Sequence, residues 1–222
     1  MTLLKTGGIA ALVCAATYLI GFALLVTLLA PLGFGTGEID PVSVVGFIEA
    51  QPGVLIAWNT TIYIVNALAL AVLVVALHAR LDGATPGWAA VTRAFGLIWA
   101  ALVLGAGMIA NVAVERAAHL AGTDPAGAAE LWEVLHAVEL GLGGGNEIAG
   151  GVWIFAVSLA GLIGRSLARI PAFIGLATGA GGLATIIPAL GETAGAVFGL
   201  GAIAWFIAVG IVLLRNGAGG RG

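Results

Sequence analysis

Between residues 115 and 147 the chain places Glu115, His119, Glu133, His136, Glu139 and Glu147. Glu115 and His119 are four apart and Glu133 and His136 three apart, so each pair can share one face of a helix. Carboxylate oxygens and imidazole nitrogens at that spacing are metal-ligating chemistry. A Glu-x-x-His pair resembles half of a carboxylate-bridged di-metal site in a helix bundle, which needs two such pairs and two further Glu. The second pair here has the other spacing, and solvated helix faces produce the same pattern. His119, His136 and Glu133 are therefore the metal candidates, set against a reading in which no metal binds. Asn111 and Asn146 add neutral amides nearby. Glu147, Asn146, His136, Glu139, Glu115 and Asn111 are the residues expected to bind a ligand. A serine nucleophile is not supported: Ser158 and Ser166 fall toward the inner half or inner face of their spans, whereas the histidines that would serve them are mostly outside.

The elements that must position these groups are apolar. The 222 residues are 61% hydrophobic and 9% charged, with a mean hydropathy of +1.14. A soluble domain carries about 25% charged residues, so this chain has too few to cover a water-facing surface. A spanning helix needs about 20 apolar residues. Six stretches qualify: residues 8–32, 54–78, 94–114, 142–163, 173–190 and 194–214. The first follows Lys5 but is too long for the core of a signal peptide and is read as a span. The expected fold is all-α, a polytopic transmembrane bundle of six spans forming one domain over residues 1–222. A short amphipathic outer helix is expected near 126–140, and a second short helix near 41–50 with Pro41 in its first turn.

Charge sets the orientation. Lys5, Arg80, Arg93, Arg165, Arg169, Arg215 and Arg221 flank span ends of one parity, and only Arg116 the other. Glu38, Asp40, Glu49, Glu115, Asp124, Glu130, Glu133, Glu139, Glu147 and Glu192 take the opposite ends, with Asp82 alone on the basic side. Basic loops stay cytoplasmic, so both termini are expected on the cytoplasmic side of a bacterial inner membrane. The acidic outer face argues against nucleic acid as a partner. The expected partners are the lipid bilayer, other membrane subunits or a second copy of the chain, and no cofactor is expected.

Along the amphipathic segment, Leu131, Val134, Leu135, Val138 and Leu142 form an apolar stripe, with Glu130, Glu133, His136 and Glu139 on the other half. Counted from the basic ends at 1.5 Å per residue, Asn59, Thr60, Thr61, Asn66, Asn111, Glu115, Asn146 and Glu147 fall at similar depth in the outer half. Polar groups inside a span are costly unless they face the bundle interior or water, so an outward-facing polar recess is expected. The run Gly141-Leu-Gly-Gly-Gly-Asn-Glu-Ile-Ala-Gly-Gly151 has two readings. It is a hinge or broken helix lining a cavity, or a site of close helix packing followed by a capped helix start. Gly175/Gly179 and Gly191/Gly195/Gly199 have the spacing of small-residue helix contacts.

The runs Asn146-Glu-Ile-Ala-Gly-Gly-Val-Trp153, Arg169-Ile-Pro171 before Ile174-Gly-Leu176, Val197-Phe-Gly-Leu-Gly201, Trp205-Phe206 and Leu213-Leu-Arg215 resemble an uncharacterised family of bacterial six-span membrane proteins, known only as a domain of unknown function. The likeness covers about residues 130–215 and implies topology but little chemistry. Ala172 departs from it, standing where members often carry a second basic residue. The functional expectation is a non-catalytic membrane protein that binds or passes a small or lipophilic ligand, or serves as the membrane subunit of an assembly. The alternative is a membrane-embedded metal-dependent enzyme using the outer-face His and Glu residues.

Overall fold

The computed structural model describes residues 2–35, 39–144 and 147–216. Glu38, Asn146 and Arg221 lie outside the described residues. Within them the chain is all-helical, with no strand. The helices are α1 (Leu3–Leu24), α2 (Pro41–Ala50), α3 (Pro52–Asn59), α4 (Asn66–Asp82), α5 (Pro86–Ala121), α6 (Pro125–Glu139), α7 (Ile148–Ile163), α8 (Arg169–Ala184) and α9 (Gly191–Asn216).

Five helical stretches are long and apolar enough to cross a membrane: Leu3–Leu32, Pro52–Asp82, Pro86–Ala121, Pro125–Ile163 and Thr193–Arg215. The remaining expected span, 173–190, is represented by α8, which has 16 residues. Wide-turn π-helical segments interrupt the regular winding at Leu25–Leu29, Thr60–Val65 and Leu140–Gly144. Such turns are rare and recur at functional sites.

Helix starts follow local chemistry. Asp40 caps α2, accepting from the backbone N–H groups of Val42 (3.1 Å) and Ser43 (3.3 Å), and Pro41 occupies the first turn as expected. Asp124 caps α6 through the N–H of Gly127 at 3.0 Å. A side chain at Gly127 would collide with that carboxylate, so glycine makes the cap possible.

The chain forms two compact units. The first gathers Met1–Ala16, Asn66–Leu102 and Asn146–Gly222. Its core is aromatic: Trp99 lies 5.6 Å from Trp153 and 6.4 Å from Phe206, and Trp153 meets Trp205 edge-on at 5.4 Å. The indole of Trp205 donates to Ser158 Oγ at 3.1 Å, satisfying two buried polar groups at once. Glycines admit these rings and bring backbones together. A Cβ on Gly150 would sit 2.7 Å from both Phe198 and Trp99, and one on Gly179 would sit 2.7 Å from the carbonyl oxygen of Gly151. The Gly175/Gly179 pair is thus a packing contact, made by α8 chiefly with α7. The second expected ladder differs: a Cβ added at Gly191 or at Gly195 would meet nothing within 4 Å. Gly199, the third member, is buried, and α9 meets α8 at Val197 and Phe198 against Gly181 and at Gly201 against Thr178.

The second unit gathers Thr17–Val65 and Val103–Gly145. In it α2 packs on α6, joining Val44, Val45 and Ile48 to Ala128, Ala129 and Trp132 in one buried cluster with Leu29, Phe34 and Trp58. The face that α6 buries is therefore not the valine stripe. Val134 and Val138 are 55% and 47% exposed, whereas Trp132 and Glu139 are buried. Small alanines allow close approach of α2. Lipid, being as apolar as valine, exacts no penalty for the outward stripe.

Candidate functional site

Two groups of polar contacts lie in the second unit. The phenol of Tyr63, in the π-helical turn Thr60–Val65, donates to Glu139 Oε1 at 2.5 Å. The other carboxylate oxygen, Oε2, lies 2.8 Å from His136 Nδ1, one turn back on α6. Glu139 is only 3% exposed, and among the described residues no Lys or Arg pairs with it. One turn before Tyr63, Thr60 accepts a hydrogen bond from Asn111 Nδ2 of α5 at 3.0 Å. The close approach of the Thr60–Val65 turn to α5 depends on Gly107, whose Cβ would lie 2.5 Å from Tyr63.

Aromatic rings fix the imidazole. His136 stacks on Trp132 with centroids 4.7 Å apart and planes 16° apart, four residues along the same helix. Phe34 meets His136, Trp132 and Trp58 edge-on at 5.5 to 6.1 Å. The Trp58 indole donates to the Gly21 carbonyl at 3.4 Å.

Two buried atoms of these two groups have no partner among the described residues: His136 Nε2 and Asn111 Oδ1. When Nδ1–H donates to the carboxylate, a neutral imidazole presents Nε2 as a bare acceptor. A cationic ring would present Nε2–H as an unmatched donor instead. An unsatisfied buried polar group costs about 1–3 kcal/mol, so both atoms mark places where a hydrogen-bonding ligand gains free energy.

The structure brings His136, Glu139 and Asn111 into this layer and leaves other expected residues outside it. Glu115, His119 and Glu133 are exposed. Among the described residues no three His, Cys, Asp or Glu side chains come together as a metal site. Glu147 belongs to the first unit, part-buried at the start of α7, where its backbone N–H donates to Thr185 Oγ1 at 3.2 Å. Asn66, also in that unit, donates to the Cys14 carbonyl at 3.5 Å. Asn146 lies outside the described residues.

Sequence reasoning passed over Tyr63, Thr60 as a partner of Asn111, and Phe34. Tyr63 was detectable: it stands three residues beyond Thr60, on the same face of a span already carrying polar groups.

The glycine-rich run carries parts of both readings: it breaks at Gly143, and Gly150 and Gly151 are close-packing positions. Gly143 has φ = 132°, a conformation that needs glycine, and α7 restarts at Ile148 with Glu147 at its N-cap position. The Glu147 side chain makes no capping hydrogen bond.

No family model, curated protein or solved structure matches this chain.

Proposed function

We propose that this is a multi-pass protein of a bacterial inner membrane, with both termini cytoplasmic, that binds or passes a small or lipophilic ligand without catalysing a reaction. The ligand site is the polar layer of the second unit. One observation carries the reading: a buried carboxylate, Glu139, is held by Tyr63 and His136 while the layer ends in two unpaired acceptors. Isolated buried polar groups are costly in an apolar protein. A purely structural helix contact would satisfy every atom, whereas a binding layer keeps some free for its ligand. A ligand bearing an O–H or N–H group and an apolar body suits His136 Nε2 beside the Phe34 and Trp132 rings.

The test is access. Single cysteines at positions 111 and 136, in a Cys14→Ala background, are exposed to a membrane-impermeant maleimide in intact cells. Labelling at both supports a layer reachable from outside. Labelling only in inverted membranes, or at neither position even after mild detergent opening, refutes it. A role as membrane subunit of an assembly is a second reading, and co-purification of a stoichiometric partner would favour it.

A further inference from the structure

The charge of the ligand follows from the Tyr63, Glu139 and His136 contacts, and this inference rests on the site proposed above. Glu139 is buried, with the Tyr63 phenol donating to one carboxylate oxygen and His136 Nδ1 lying 2.8 Å from the other. Among the described residues no Lys or Arg pairs with it. A buried carboxylate without a positive partner is costly in an apolar protein. The pair has two arrangements, and each is incomplete. With a neutral ring, Nδ1–H donates to the carboxylate, Nε2 is a bare acceptor, and one negative charge stays uncompensated. With a cationic ring the charge is balanced, but Nε2–H becomes a buried donor without an acceptor. A ligand bearing a positively charged N–H group completes the first arrangement in one contact. It donates to Nε2 and supplies the missing charge, with the imidazole standing between it and the carboxylate.

The second arrangement would call for a carbonyl or an anion instead, and the surroundings favour the first. Among its described residues the second unit carries seven carboxylates, one arginine and no lysine. Asp40, Glu49, Glu115, Asp124, Glu130 and Glu133 are exposed, as is Arg116, so Glu139 is the one acid of this set that is buried. Lys5 and every other described arginine belong to the first unit. A surface of one sign raises the local concentration of ions of the other, which here means cations. The rings beside the imidazole suit a cation with an apolar body. His136 stacks on Trp132 with centroids 4.7 Å apart, and Phe34 meets it edge-on at 6.1 Å. Aromatic faces within about 6 Å attract ammonium groups, more so where water is excluded.

We propose that this site binds a lipophilic ammonium ion, a protonated amine on an apolar body, which donates an N–H to His136 Nε2 and has Glu139 as its counter-charge. Tyr63 holds the far oxygen of that carboxylate, which leaves the near one to orient the imidazole. Hydrogen bonds with an ionised partner are about twice as strong as neutral ones, so the site should separate an amine from an alcohol of the same shape.

The experiment compares three probes built on one naphthalene ring: naphthylmethylamine, naphthylmethanol and acetylnaphthalene. The first is a cationic donor at neutral pH, the second a neutral donor, and the third an acceptor only. Binding to the full chain in detergent is measured by titration calorimetry against empty micelles. The wild type should bind the amine about tenfold more tightly than the alcohol, and the ketone least. Glu139→Gln keeps an acceptor for Tyr63 but turns an NH2 toward His136 Nδ1, which moves the ring proton to Nε2. That variant should lose the amine preference and favour the ketone, a reversal that a merely structural carboxylate would not produce. Glu130→Gln, at an exposed acid of the same helix, should keep the amine preference. Equal wild-type affinity for amine and alcohol overturns the inference and leaves a site for an uncharged ligand. A wild-type preference for the ketone overturns it by assigning the cationic ring. Loss of the preference in Glu130→Gln overturns it by reducing the effect to surface charge. The wild-type comparison decides the matter even if Glu139→Gln fails to fold. Binding of none of the three also overturns the inference, and cysteine labelling at position 136 then shows whether the site itself falls with it.

Discussion

Tyr63 and Glu139 stand 76 residues apart in sequence and are joined by a 2.5 Å hydrogen bond in which the phenol donates to the carboxylate. Tyr63→Phe removes that donor and keeps the ring. A hydrogen bond to a charged group contributes about 1.5–3 kcal/mol, so thermal unfolding in detergent should reveal a loss of that order. Tyr63→Phe combined with Glu139→Leu should be less unstable than the sum of the single changes. Removing both partners leaves no orphaned group on this bond. Strict additivity would show that the two side chains are not coupled.

The break after α6 depends on one glycine more than its neighbours. Gly143 has φ = 132°, whereas a Cβ on Gly141 would meet nothing within 4 Å and its φ is not in the left-handed region. Gly143→Ala should therefore lower stability by about 1–2 kcal/mol. Gly141→Ala should be neutral or stabilising by up to about 1 kcal/mol through helix propensity. Unfolding midpoints of the two variants check this directly, and equal effects would contradict the assigned backbone.

A parallel contrast separates packing glycines from open ones. Gly179→Val drives methyl groups into the Gly151 carbonyl and Phe155, and overpacking costs about 1–3 kcal/mol or more where backbone must move. Gly195→Val meets open space and should leave the folded monomer unchanged. Expression and size-exclusion profiles of the two variants in detergent distinguish them. A collapse of Gly195→Val into aggregate would mean that α9 packs differently.

At the start of α2, hydrogen bonds from the Ser43 hydroxyl and the Val42 N–H hold the Asp40 carboxyl below its ordinary range. A depressed folded value means that the cap contributes fully above the unfolded pKa of about 3.9. The contribution is lost as pH falls through the lower folded value. A carboxyl titration by NMR should give a midpoint below that of an ordinary aspartate, and Ser43→Ala should move it upward. An unshifted midpoint would dissolve the cap.

Sequence alone exposed the helices because apolar runs and their basic flanks are one-dimensional signals. Pro41 announced α2 for the same reason, since its place in a first turn is a local signal, whereas the Asp40 cap emerges only from the structure. The site was only half legible. His136, Glu139 and Asn111 stood out as polar groups in an apolar chain, but their partners Tyr63 and Thr60 are set by contacts between helices distant in sequence. Hydrophobic periodicity marks the α6 stripe but does not say which of its residues meet protein and which meet lipid: Leu135 packs on the cluster, while Val134 and Val138 turn outward. Around a membrane protein Val134 and Val138 can turn outward freely, and the alanines Ala128 and Ala129 decide what packs. Glycine spacing discriminated only in part: Gly175 and Gly179 meet neighbours and Gly199 is buried, whereas Gly191 and Gly195 meet nothing within 4 Å.

The number of crossings turns on α8. Its 16 residues extend about 24 Å at 1.5 Å per residue, short of the roughly 30 Å hydrocarbon core. The turn and the 3-10 segment Pro188–Leu190 add further length before α9. Ile186, Ile187 and Leu190 are exposed and apolar there, as residues in contact with lipid would be. Arg165 precedes α8, Arg169 opens it and Arg215 lies in the last turn of α9, so the basic-flank rule puts both ends of this helical pair on one side. With six crossings, reporters fused at the N-terminus and after Arg215 should report the same compartment. A fusion near residue 191 should report the other. If the fusion at 191 shares the compartment of Arg169, α8 dips into the membrane without crossing, and α9 carries the chain across alone.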